Sequence, residues 1–111
     1  MSTVTPEAQR LRREFTQLKR RLAKTGYICT GSVMSLYQRC GKPYCACHTD
    51  QKALHGPYSV WTRKVQGKTV TRTLTTKQAE LCRHCIQNMR EVEAIIERMK
   101  ELSATYIESK R

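Results

Sequence analysis

Tyr58-Ser-Val-Trp-Thr-Arg-Lys-Val65 runs into Gln66-Gly67, then Lys68-Thr-Val-Thr-Arg-Thr-Leu74, then Thr75-Thr-Lys-Gln78. The first and third stretches are rich in Val, Thr, Tyr and Trp, which suit a pleated, half-buried surface. A two-residue Gln-Gly link between such stretches predicts a β-hairpin, because the turn needs a residue that accepts positive φ. Thr75 then has the chemistry of a helix cap, with Gln78 placed to reach back to its amide. A hairpin that feeds straight into a helix sets the class as α+β.

Downstream, a helix is expected over 75–108. Its apolar positions Cys82, Cys85, Met89, Val92, Ile96, Met99 and Tyr106 fall in steps of three and four, with Ser103 filling the gap and Ile86, Ile95 and Leu102 widening the stripe. Upstream, Ser32–Arg39 alternates loosely and predicts a strand, completing a three-stranded antiparallel meander over 32–74. At the front, Thr5-Pro6-Glu7 is a helix start, with Thr as cap, Pro at the first helical position and Glu facing the dipole. Ala8, Leu11, Phe15, Leu18 and Leu22 give this helix, 5–25, a matching seam, and Gly26 is its expected stop.

The expected architecture is one domain, 1–111: an N-terminal helix, a three-stranded sheet carrying a zinc knuckle, and a long C-terminal helix packed antiparallel on the first. The second helix, about 50 Å long, exceeds the first, about 28 Å. Either the sheet or a second subunit must cover the difference. Val92, Ile95, Ile96 and Met99 are the expected partner interface, for a homodimer or for docking on a larger enzyme such as a transposase or nuclease.

The chain has 111 residues, 39% of them apolar, too many for a disordered basic tail. Lys and Arg number 21 against 9 Asp and Glu, a formal charge of +12. The charge is +5 over 1–30, +6 over 31–75 and +1 over 76–111, so the positive field belongs to the first two thirds. Such a field calls for a polyanion, nucleic acid before an acidic membrane surface. No apolar run approaches the ~20 residues of a membrane span. The opening MSTVTPEAQRLRREF has no apolar signal core, so a cytoplasmic, reducing setting is expected. There, six cysteines suggest free thiols or a metal site before a disulfide frame.

Residues 40–57 concentrate those thiols. Cys40, Cys45 and Cys47 are followed by His55, all within sixteen residues and between two expected strands. Three thiolates and an imidazole are a set that structural zinc accepts. Gly41 and Pro43 allow a tight knuckle, Pro57 restrains Gly56 and helps aim His55, and Lys42 offsets the negative charge of a tris-thiolate centre. A reduced, partly buried cysteine loop and a redox-reactive cluster are the competing readings. His48 is a loop residue or an outer donor, and Cys29 is the substitute fourth ligand should His55 fail. Cys82 and Cys85 sit on the helix seam as small core residues, with a second metal or redox site alongside His84 as the alternative.

Gly31-Ser-Val33, Tyr37-Gln-Arg-Cys40-Gly-Lys-Pro-Tyr-Cys45-Ala-Cys47, His55-Gly-Pro-Tyr58 and Gly67-Lys-Thr-Val-Thr-Arg72 together resemble a family of short bacterial and archaeal proteins. That family is a domain of unknown function often encoded near transposases and other mobile-element genes. The resemblance spans about residues 31–105. It implies that Cys40, Cys45, Cys47 and His55 belong together, and it carries no activity.

The hairpin offers Arg63, Lys64, Lys68 and Arg72 beside Trp61 and Tyr58, and helix 1 offers Arg12, Arg13 and Arg20. Such side chains contact phosphates, and a two-stranded ribbon fits a DNA major groove; plain solvated charge is the blander explanation. Asp50 is the single acidic residue between 15 and 79, so a carboxylate–metal nuclease centre is hard to assemble. A Cys47–His55 nucleophile is formally available, but three thiols together are better explained by a metal. The expectation is a non-enzymatic zinc protein that contacts nucleic acid, DNA first, as an accessory or regulator of a mobile element.

Overall fold

The structure, a computed structural model, describes residues 5–39 and 41–110. Its elements are helix α1 (Pro6–Ala23), strands β1 (Ser32–Gln38), β2 (His55–Val65) and β3 (Lys68–Leu74), and helix α2 (Thr76–Glu108), with two short 3₁₀ turns, Ala46–His48 and Gln51–Ala53, between β1 and β2.

Local chemistry sets most of these boundaries. Thr5 is extended and its Oγ1 accepts from the Ala8 amide at 3.1 Å, satisfying one of the free donors of the first turn of α1. Gly26 is not the stop. The helix closes at Lys24, whose backbone stays right-handed and whose amide donates to the carbonyls of Arg20 and Arg21 at 3.2 Å, while Thr25 Oγ1 donates to Arg21 O. At α2, the Gln78 amide donates to Thr75 Oγ1 at 3.1 Å and the Thr75 amide donates to Gln78 Oε1 at 2.9 Å, the reciprocal pair expected of a capping box.

The three strands form an antiparallel sheet in the order β1-β2-β3. Gln66 (φ 51) and Gly67 (φ 80) both take positive φ, which matches the right-handed twist of the flanking strands. Two differences from expectation concern β1 and β2. β1 ends at Gln38. β2 starts at His55, not Tyr58, and the ladder shifts between Leu36 and Gln38 to admit Gly56 and the cis-bonded Pro57. Gly31, at φ 104, leads into β1 so close to the Thr62 carbonyl and Trp61 Nε1 that a Cβ has no room there.

The chain divides into two compact units. The unit Cys29–Ile86 holds the sheet, the loop before it and the first three turns of α2; the flanking residues make the other. In that flanking unit Leu18, Ile95 and Leu102 form a buried cluster, with Leu11, Phe15, Leu22 and Met99 packed against it. The helices run antiparallel. Asn88 Nδ2 donates to Tyr27 O at 2.9 Å near the end of α1, and Arg98 pairs with Glu14 further along. Among the described residues of the unit Cys29–Ile86 the buried apolar side chains are Cys47, Val60, Ala79 and Cys82.

The expected partner interface on α2 is largely used inside the chain. Val92 and Ile95 are buried, and Met99 packs on the Leu18 cluster; of the four, Ile96 is exposed, at 39%. The stripe of α2 is centred on Ile95 and Leu102, one position away from the seam through Ile96 and Tyr106. The first turns of α2 carry Ala79 and Cys82, buried within the sheet-bearing unit.

Candidate metal centre and basic hairpin

The loop between β1 and β2 folds on its own backbone. The Cys45 amide donates to Lys42 O at 3.1 Å, closing a turn over Pro43 and Tyr44. The His48 amide then donates to Cys45 O, and the Asp50 amide to Ala46 O at 2.9 Å. Asp50 Oδ1 accepts from the Lys52 amide at 2.9 Å and turns the chain into the second 3₁₀ turn. Arg39 Nε donates to the Cys47 carbonyl at 3.1 Å, tying the loop to the end of β1.

These turns bring Cys45 and Cys47 to His55 at the first position of β2. Cys45 Sγ lies 3.3 Å from His55 Nε2, and the ligand atoms of Cys45, Cys47 and His55 all lie within 4.8 Å of one another. A tetrahedral zinc with Zn–S near ~2.3 Å and Zn–N near ~2.0 Å sets its ligand atoms roughly 3.5–3.8 Å apart, so the three can hold one ion. Cys47 is fully buried and Cys45 and His55 are half-buried, which shields such an ion from water. Cys40, the remaining expected ligand, lies outside the described residues.

The other sulfur and imidazole expectations separate cleanly. His48 is exposed and outside the group. Cys29 does not substitute for His55. Its sulfur lies 3.9 Å from Cys82 Sγ and 3.6 Å from Cys82 O, on the face of α2. Burial there, with the Cys82 and Cys85 thiols next to it, pushes the Cys29 thiol up to about 11. Nothing in the local sequence around Cys29 announces this contact, which spans 53 positions. His84 is exposed.

The basic residues of the hairpin divide between its two faces. Trp61 pairs with Arg72, and Arg63 with Val70, across β2 and β3. Side chains alternate along a strand, so Trp61, Arg63, Lys68 and Arg72 share one face while Lys64 lies on the other. The Arg63 guanidinium sits 3.9 Å above the Trp61 ring, a cation–π contact that holds it extended. Trp61 Nε1 donates to Thr30 O at 2.9 Å, which fixes the indole. Lys64 Nζ donates to Thr69 Oγ1 at 2.8 Å across the strands. On α1, Arg12, Arg13 and Arg20 are exposed and share one face of the helix with Gln9, Thr16 and Gln17.

Among the described residues no helix is long and apolar enough to cross a membrane. No curated protein and no solved structure matches the chain. A family described as a domain of unknown function, DUF6788, matches residues 6–83, beginning earlier than the resemblance around the cysteine motif and taking in all of α1 and the start of α2. Covering well over half of the sequence, that match makes the chain a member of the DUF6788 family.

Proposed function

We propose that the protein is a small, non-enzymatic zinc-binding protein that contacts nucleic acid, DNA first, through one face of its β2–β3 hairpin. The observation that carries this reading is the shared face of Trp61, Arg63, Lys68 and Arg72. An indole and three cations in one plane offer both an aromatic surface for a base or sugar and charged donors for phosphates. The Cys45–Cys47–His55 group stands at the start of β2, the strand that carries Trp61 and Arg63. An ion there, with Cys40 as fourth ligand, would anchor the root of the hairpin and leave its tip free to meet a partner. Zinc suits the mixed sulfur and nitrogen donors, needs no redox chemistry and accepts four-coordination. The exposed α1 face of Arg12, Arg13 and Arg20 adds a second cationic surface. The formal charge of +12 supplies the long-range attraction.

A docking role for α2 has less support, because Val92, Ile95 and Met99 are engaged within the chain. The test is fluorescence anisotropy with short labelled duplex DNA, single-stranded DNA and RNA across a salt series. Affinity should fall steeply with salt, and Arg63→Glu with Lys68→Glu and Arg72→Glu should abolish it. Salt-independent binding, or a triple variant that binds as well as the native protein, would refute the reading.

A further inference from the structure

Cys29, Cys82 and Cys85 are left unused by the centre at Cys45. Cys29 lies in the segment between α1 and β1, and the other two stand three residues apart on α2, neighbours across one helical turn. The Cys29 amide donates to Cys85 O at 3.3 Å, which fastens this segment to the helix directly at the cysteine pair. The Cys29 thiol lies against the Cys82 thiol, with Cys85 one turn further along the same helix. Cys82 is buried; Cys29 and Cys85 are half-buried.

We propose that Cys29, Cys82 and Cys85 form a second, all-sulfur metal site that takes a closed-shell thiophilic cation of the zinc class. The proposal goes beyond the nucleic-acid reading and does not depend on it. The spacing of the sulfurs supports it first. Cys29 Sγ and Cys82 Sγ are 3.9 Å apart. A disulfide needs ~2.05 Å, whereas two sulfurs at ~2.3 Å from one tetrahedral ion stand about 3.8 Å from each other. Cys85, whose carbonyl accepts from the Cys29 amide, stands one helical turn from Cys82 and would complete three ligands once its side chain turns toward that pair, with solvent in the fourth position.

The size of the local core supports it second. Among its described residues the sheet-bearing unit, Cys29–Ile86, buries Cys47, Val60, Ala79 and Cys82, none of them a large side chain. Units of roughly 60 residues with so little apolar burial usually rely on metals or cross-links. Two of those four residues belong to the two thiol groups. The binding step is an exchange: each thiol gives its proton to the buffer, each thiolate gives a lone pair to the cation, and no electron is transferred.

The probe is cadmium, whose thiolate bonds absorb in the near ultraviolet. Reduced, metal-free, full-length protein is titrated, and bound ions are counted by elemental analysis. The native chain should bind two ions. Cys82→Ala with Cys85→Ala should bind one and lose roughly half of the absorbance, because three of the six cysteines are removed from coordination. Cys45→Ser with Cys47→Ser should also retain one ion, now held by the second group. Cys29→Ser, which leaves α2 intact, should weaken that second ion at least tenfold. Circular dichroism verifies that each variant keeps its helices. Native protein that binds a single ion, with the same stoichiometry in the Cys82–Cys85 variant, overturns the proposal while leaving the Cys45 centre standing. A Cys45–Cys47 variant that binds nothing overturns it as well.

Discussion

Cys45 Sγ meets His55 Nε2 at 3.3 Å, closing a loop that starts in a turn over Pro43 and ends on the first residue of β2. The contact joins a sulfur from irregular backbone to an imidazole on the sheet.

An ion bound at this contact would stabilise the folded chain by mass action. With free zinc at about 1,000 times the dissociation constant, the gain is roughly 4 kcal/mol. A strong chelator should therefore lower the urea midpoint of the native protein. The same chelator should have a smaller effect on Cys45→Ser, and zinc per chain should fall by one in that variant. Equal chelator sensitivity in both proteins contradicts the assignment.

If the hairpin meets nucleic acid as proposed, its two faces should give unequal charge-reversal effects. Arg72→Glu should weaken DNA binding and lower the slope of log affinity against log salt by about 1. Lys64→Glu, on the opposite face, should change both much less. Trp61→Ala should weaken binding with little change in salt slope, because a ring contact releases no counterions, although the lost hydrogen bond to Thr30 also costs stability. Anisotropy at four salt concentrations separates the three variants.

The buried cluster of α1 and α2 sets the stability of that helical pair. Leu18→Ala, at a buried contact with Ile95 and Leu102, should cost about 2–5 kcal/mol. Ile96→Ala, on the exposed side, should cost under about 1 kcal/mol. Urea denaturation followed by circular dichroism measures both.

Glu14 supplies a pH signature. The Arg98 guanidinium hydrogen-bonded to it lowers its carboxyl below the ordinary 4.5. A carboxyl with a lowered folded value binds its proton less readily when folded. Its stabilisation is fully present above the unfolded value near 4.5 and is lost as pH falls through the lower folded value. Glu14→Gln should flatten this part of the acid limb of stability against pH and leave neutral stability little changed, because both side chains are partly exposed.

The features legible in the sequence are the local ones. The Thr5 cap, the Thr75–Gln78 capping box and the Gln66-Gly67 turn each depend on residues within four positions, and each forms with the expected partners. The Cys45–Cys47–His55 group was legible for a related reason, since a short loop can hardly avoid bringing its ligands together. The start of β2 was not, because a proline within a strand argues against a ladder, and only the register shift opposite Gly56-Pro57 accommodates it. The centre of the α2 stripe was misplaced by one residue. Neighbouring positions on a helix point about 100° apart, so it is packing against Leu18 and Leu102 that buries Ile95 and leaves Ile96 exposed. The Cys29–Cys82 contact depends on tertiary folding, and no local period encodes it.

Gly26 and Gly31 stand five residues apart in the same connection and face opposite constraints. At Gly26 an added methyl meets Asn88 Nδ2 at an ordinary 3.5 Å, and the backbone is not left-handed. At Gly31 the left-handed backbone and the Thr62 carbonyl leave no space. A saturation library screened for folded chains should accept alanine and serine freely at the first position and return glycine alone at the second, so the passage from helix to sheet is gated by a single hydrogen atom.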